Sequence, residues 1–316
     1  MLSKNYEVQD TDLNSEIKDD VKALIFAGVK DSLDEKQLSN LDQFIMKGGN
    51  LLVFQDGVDA ELQTQSAKAI NSNFLDLLKN YGVKINSDIV TDANCNSVQI
   101  QRMQGFFRIA TPVQYPPLVV LNNVNKNSEI VKRLDQMQLI FASSIDTTKV
   151  KAGVKFTPLL YTSNNSGKIR GPKYDIGYMK FMKKNLKEML KDKPYIVAGL
   201  YSGKFKSYFD NTKESKPANI IVLTDSDFIT ELGAAKNQSN IDFCLNSTDY
   251  LSGNELLIGL RSREVQYMPL KDLKPATRRL VKWINVLLSS VLLVLFGILH
   301  YKSELKRRKR IGERYE

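Results

Sequence analysis

The sequence predicts an α/β fold carrying one C-terminal membrane helix, and three observations predict it. Short apolar runs alternate with amphipathic stretches over the first 85 residues, the rhythm of β-α-β units. Glycines and helix-capping residues stand at the joints of that rhythm. Near the other end, Trp283 to Tyr301 runs nineteen residues without a charged side chain.

Val21 to Val29 (VKALIFAGV) reads as a buried strand. Ser32 or Asp34 then caps a helix through Met46 that places Leu38, Leu41, Phe44 and Ile45 on one face. Gly48-Gly49 ends it as a C-cap, because GGN lacks the GxGxxG order and precedes its strand. Leu51 to Phe54 is a second strand, Ser72 to Asn80 a second helix closed by Gly82, and residues 83–85 a third strand. Residues 86–118, rich in Asn and Gln and holding Pro112, Pro116 and Pro117, read as irregular strands and loops. Strands follow at 138–145, 156–163, 195–200 and 220–223. A lysine-rich helix is expected between Asp175 and Lys191, a helix at 241–251 and a last strand at 256–260. The pattern amounts to a Rossmann-like or flavodoxin-like, mostly parallel sheet with helices on both faces.

Composition narrows the chemistry. With 316 residues, 42% apolar and 25% charged, the chain is globular rather than disordered or disulfide-stapled. The net charge of +10 is not spread along the chain: residues 149–216 carry 16 basic residues against 5 acidic, and 278–316 carry 10 against 3. The remainder is mildly acidic, which argues against a nucleic-acid face. His300 is the only histidine and sits at the end of the apolar run. Histidine-based nucleophile systems and multi-histidine metal sites are therefore excluded. Cys95 and Cys244, 149 residues apart, read as buried small hydrophobes. No catalytic residue, metal site or cofactor is expected.

At 1.5 Å per residue, residues 283–301 span roughly 28 Å, about the thickness of a bilayer's hydrocarbon core. Trp283 and Tyr301 bracket the run as interfacial aromatics. Seven basic residues follow it, against five between Lys271 and Lys282, which places the C-terminus in the cytoplasm. The expected organisation is an extracytoplasmic α/β domain at 1–270, with 149–216 a basic and partly irregular insertion. A linker at 271–282, the membrane helix at 283–301 and a basic cytoplasmic tail at 302–316 complete it. The N-terminus has no apolar segment for export, so either the chain is tail-anchored with its domain in the cytoplasm or a segment precedes Met1. The basic tail favours the second, which is the expectation. Within the helix, Asn285, Ser289 and Gly297 fall on one stripe at spacings of four and eight, a small and polar face for a membrane partner.

Two aspartate motifs end apolar strands. Asp225-Ser226-Asp227 after IIVLT has the form of a phosphatase nucleophile strand, in which one carboxylate attacks phosphorus and both hold Mg²⁺. The alternative is that Ser226 or Asp227 caps the next turn. Asp56 ends the strand LLVF in the same way. If the two strands are neighbours, Asp56, Asp225, Ser226 and Asp227 form a polar crevice suited to a cation or sugar hydroxyls. Lys180, Lys183, Lys184, Lys187, Lys191 and Lys193 would line one helix, as a solvated face or a contact for anionic headgroups.

Several segments, in order, carry a family resemblance. They are LIFAG to FQD (24–56), VQYPPL (113–118), FASSID (141–146), PLLYTS (158–163), IVAGLYSGKFKSYF (196–209), IIVLTDSDF (220–228) and the stretch 240–263. A C-terminal membrane helix with a basic tail closes the series. The chain resembles the GldG-like, gliding-motility-associated ABC transporter auxiliary proteins of the uncharacterized ABC-type transport group. Thr224 stands where that family often has Gly. The resemblance implies a non-enzymatic accessory in the bacterial cytoplasmic membrane, partnered by an ABC permease, an ATPase and lipid. It also implies an N-terminal membrane helix and first region that are not seen here. Related intraflagellar-transport domains imply an interaction or sugar-binding module, and a DxD-type phosphohydrolase is the alternative.

Overall fold

The computed structural model describes residues 2–104, 106–182, 184–230, 237–261 and 275–312. They fall into two units, 1–264 and 265–316. The first unit opens with β1 (Ala23–Ala27), α1 (Glu35–Met46) and β2 (Asn50–Phe54). A small hairpin of β3 (Val58–Glu61) and β4 (Ser66–Ala69) leads to α2 (Asn73–Asn80). Then come β5 (Asp88–Asp92), a long hairpin of β6 (Cys95–Gln104) and β7 (Phe107–Leu121), and the short strands β8 (Asn123–Val124) and β9 (Met137–Gln138). β10 (Val154–Tyr161), β11 (Ser166–Arg170), the one-turn α3 (Leu186–Met189), β12 (Ile196–Gly203) and β13 (Ala218–Leu223) follow. The helices α4 (Gln238–Leu251) and α5 (Glu255–Arg261) close the unit.

Six strands form the central sheet in the order β1-β2-β13-β12-β10-β8. β1 and β13 flank β2 in parallel, whereas β12 and β10 run antiparallel to their neighbours. The sheet is mixed, which corrects the mostly parallel, Rossmann-like or flavodoxin-like sheet expected from the sequence. The cause is connection type. A parallel return needs a crossover, usually a helix, and residues 204–217 between β12 and β13 supply none.

Helices do pack on both faces. Leu51, Val53, Ile220 and Val222 join Leu38, Leu41 and Ile45 of α1 and Phe74, Leu77 and Leu78 of α2 in one buried cluster. The alternate residues Leu52, Phe54, Ile221 and Leu223 join Phe243, Cys244 and Leu251 of α4 in another. Period-two alternation explains why both strands are apolar at every position: each faces two cores. Asp34, not Ser32, caps α1, and its reciprocal bonds with Gln37 make a capping box. Gly48 takes φ +97° just past the helix, and the Gly49 N–H donates to the Phe44 carbonyl at 2.9 Å, as the C-cap reading requires.

Other expectations change. Residues 83–85 make only an isolated bridge, Ile85 to Ile145. The strand at 138–145 shrinks to β9, and Phe141 adopts φ +54°. Residues 86–118, expected to be irregular, form β5 and most of the β6–β7 hairpin. The expected lysine-rich helix is a 3-10 turn at Tyr178–Phe181 and the single turn α3. Like charges three and four residues apart disfavour a continuous helix there, and Lys183 lies outside the described residues. Residues 256–260 are helical in α5, because a short apolar run carries no period that separates strand from helix. The basic block 149–216 contributes β10 and β12 to the central sheet. Both cysteines are free, and burial raises each thiol to about 11.

The second unit contains α6 (Pro275–Gly312). Within it Arg279–Arg307 is long and apolar enough to cross a membrane, and none of its described side chains is buried. The helix takes in the described parts of the expected linker and tail, whereas 271–274 and 313–316 lie outside the described residues.

Candidate functional site

β2 and β13 are parallel neighbours with Phe54 opposite Leu223, so the residues after them leave the sheet at one edge. The Gln55 N–H extends the pairing to the Leu223 carbonyl (3.0 Å), and the Gly28 N–H after β1 donates to the Phe54 carbonyl (2.9 Å). The Gln55 side chain accepts from the Val29 N–H at 2.9 Å, so three strand ends are tied together. Gly28 takes φ +65°, and a Cβ there would stand 3.2 Å from the Ser226 side chain. A close approach and a left-handed backbone both favour glycine at that point.

Asp56 and Ser226 meet directly. The Asp56 carboxylate accepts from the Ser226 N–H at 3.0 Å and from the Ser226 hydroxyl. Asp225 is fully enclosed and turns inward: one oxygen accepts from the Ile140 N–H (2.6 Å), the other from the Phe228 N–H (3.1 Å). The turn at Asp227–Ile229 is thus capped by Asp225, and Ser226 makes no side-chain cap bond. That corrects the capping role expected of Ser226 or Asp227. Asp227 is half-buried, facing a region that also holds the Lys30–Asp59 ion pair at 2.5 Å.

Burial dominates the electrostatics. Desolvation lifts Asp56 to about 7 against the opposing bonds from Ser226, and the Asp227 charge adds to the rise. Asp225 is raised well above the usual carboxylate range by burial and then by the Asp56 charge. Asp227 is raised by desolvation, with Lys30 pulling it back. Asp59, Asp227 and Asp56 in turn hold Lys30 above its ordinary value, the Asp59 hydrogen bond first. The buried carboxylates of this cluster therefore hold protons at a pH where exposed aspartates have lost them.

The arrangement constrains chemistry. Asp225 is closed off from solvent, and each of its oxygens accepts one backbone N–H. Among the described residues no group of three His, Cys, Asp or Glu side chains is placed to hold a metal ion. Asp56, Asp225, Ser226 and Asp227 come together as a polar cluster at the strand ends, with Asp56 bonded to Ser226 and the carboxylates linked through their charges.

A second buried knot adjoins the first, and nothing in the sequence reading anticipated it. The Gly57 N–H donates to the Ser143 hydroxyl (2.9 Å), which donates to the Asp88 carbonyl (2.8 Å). The Asp88 carboxylate accepts from the Ser144 N–H and hydroxyl, both at 2.8 Å, and pairs with the Lys168 ammonium at 2.9 Å. Lys168 also donates to the Ser144 hydroxyl (2.6 Å) and sits 4.0 Å from the centre of the Tyr195 ring. Beside it opens a pocket of about 560 Å³ lined by Asn86, Ser87, Asp88, Lys168, Arg170 and Tyr174, among others. The available signal was the pair Ser143-Ser144 inside a segment apolar enough to read as a buried strand. Buried hydroxyls need partners, and these two have them.

On α6, Asn285 and Gly297 are exposed, and a Cβ on Gly297 would meet nothing within 4 Å. The Ser289 side chain lies outside the described residues. Lys180 pairs with Asp175 at 3.5 Å.

Comparison with known proteins adds the following. The family model described as "ABC-type uncharacterized transport system" matches residues 1–257. An uncharacterized protein of Borreliella burgdorferi is 26% identical over 314 residues, 95% of this chain; the chain spans 60% of that relative's length. Among solved structures, the mmIFT52 N-terminal domain aligns with a TM-score of 0.44 at 15% identity, covering 79% of this chain and 87% of that one. A ThuA-like protein of Bacteroides uniformis aligns with a TM-score of 0.36 at 12% identity, covering 77% and 75%.

Proposed function

Because this chain belongs to the ABC-type uncharacterized transport system family, we propose that it serves as a membrane-anchored, non-enzymatic auxiliary subunit of an ABC transporter. The family match over residues 1–257 carries the reading, and the apolar stretch Arg279–Arg307 supports the anchor. The inward engagement of Asp225 supports a non-enzymatic role. Turnover of a generic phosphoester with Mg²⁺, lost in Asp225→Asn, would contradict it. The partners are a permease and an ATPase. The gliding-motility-associated type is the finer form of the proposal, and it rests on the order of the segments between 24 and 263. A small polar ligand, such as a sugar, would sit at the carboxyl ends of β2 and β13, beside Asp56, Ser226 and Asp227.

The excess of basic residues after the helix supports a cytoplasmic C-terminus and an extracytoplasmic domain in the bacterial cytoplasmic membrane. Protease added to spheroplasts should digest the domain and spare a tag placed after Glu316. Protection of the domain would reverse the orientation.

Asn285, Ser289 and Gly297 form the proposed partner face of the helix. In lipid, helix association gains from close packing at small residues rather than from hydrophobic transfer. Exchanging residues 284–299 for polyleucine, or Gly297→Leu alone, should leave the chain in the membrane while weakening its photo-crosslinking to the permease. Unchanged crosslinking after the polyleucine exchange would reduce the helix to a plain anchor.

A further inference from the structure

The β6–β7 hairpin is packed at its base and bare at its tip. Val113, Tyr115, Val119, Val120 and Leu121 are buried, and the Tyr115 hydroxyl donates to the Ile176 carbonyl at 2.6 Å. Beyond Ile100 the character changes. Gln101, Met103, Phe106, Arg108, Ile109 and Ala110 are all exposed. Successive strand residues point to opposite faces, so exposure at three consecutive positions (108–110) means that neither face of the ribbon is covered there. The ladder continues through Arg102–Ile109, Met103–Arg108 and Gln104–Phe107, so the tip is an ordered two-stranded ribbon. It presents Phe106 at 99%, Met103 at 66% and Ile109 at 42% exposure.

We propose that this tip is a lipid-inserting wedge that dips into the interfacial region of an anionic bilayer. Resting on the reading that residues 279–307 span the membrane, the proposal follows from charge, size and tethering. No acidic residue occurs between Asp92 and Glu129, whereas Arg102, Arg108 and Lys126 do, so the segment complements anionic headgroups. A protein partner needs roughly 800 Å² from each side for a stable interface, more than a hairpin tip of about ten residues presents. Insertion needs only a few apolar side chains flanked by cations. Because α6 anchors the same chain, insertion of the tip would add to an existing membrane attachment rather than have to supply it alone.

Trp283 is the only tryptophan, so the double substitution Phe106→Trp with Trp283→Phe puts a single emitter at the tip of the full chain. The chain would be reconstituted into vesicles containing phosphatidylglycerol, with and without brominated acyl chains. Brominated lipid should quench the emission strongly, and aqueous iodide should quench it weakly. Adding Arg102→Gln and Arg108→Gln should restore iodide access. Strong iodide quenching and none by brominated lipid, in a chain that resists carbonate extraction, would overturn the wedge and leave the anchor standing. The same result follows if lipid quenching appears only when a permease is present. A chain released by carbonate would overturn both.

Discussion

Asp88→Ala should be among the most damaging single substitutions in the domain, costing ~3–5 kcal/mol of stability. Among the described residues Asp88 is the carboxylate paired with the largely enclosed Lys168 ammonium, at 2.9 Å, and it also takes the Ser144 N–H and hydroxyl. Truncation leaves a largely enclosed cation with one hydroxyl and the face of the Tyr195 ring, and it orphans a buried N–H. The loss should be partly recovered by Lys168→Met in the same chain, since removing both charges removes the desolvation problem. Urea denaturation of the four variants in a double-mutant cycle measures the coupling. A loss below ~1 kcal/mol, or strictly additive effects, would show that the knot does not hold this part of the fold together.

Asp56→Asn should stabilise the protein at pH 8 and have little effect near pH 4. Asp56 holds its proton up to about 7 in the folded state, while in the unfolded chain it ionises near 3.8. Between those values the native state binds more protons, so stability falls as pH rises from about 4 to about 7 and is level above that. Each unit of displacement is worth about 1.4 kcal/mol, so the slope removed by the substitution is on the order of a few kcal/mol. Asparagine keeps the packing: its oxygen still accepts from the Ser226 N–H, and its amide donates to the Ser226 hydroxyl in place of the bond it received. Neutralising Asp56 also removes one cause of the upward displacement of Asp225. Denaturation midpoints across pH 4–8 should therefore be flatter in the variant. A variant less stable at pH 8, or one with the parent's slope, would contradict the electrostatic account of the crevice.

The parts legible in the sequence are those whose signals are local. β1, β2, β12 and β13 announce themselves as short apolar runs, and α1 as a capped amphipathic stretch ending at Gly48-Gly49. Asp56 and Asp225 could be paired in advance because each ends such a run. The connection between β12 and β13 was not legible, since nothing local says whether a strand returns through a helix or a loop. β7 was hidden by Pro112, Pro116 and Pro117, which read as breakers. Proline is tolerated where its missing N–H is not needed by a partner strand, as on edges and irregular pairings. Lys168 and Asp88 are eighty residues apart and meet only after β5 and β11 pair, so no motif could have joined them.

The central claim is that this chain works as a subunit of a transporter. Its most direct test is extraction of the tagged full-length protein from its host membrane in mild detergent, with identification and quantification of whatever co-elutes. An ABC ATPase and a polytopic permease should appear in fixed proportion to the chain, and remain through size-exclusion chromatography. Recovery of the chain alone, with permease and ATPase eluting together elsewhere, would contradict the account.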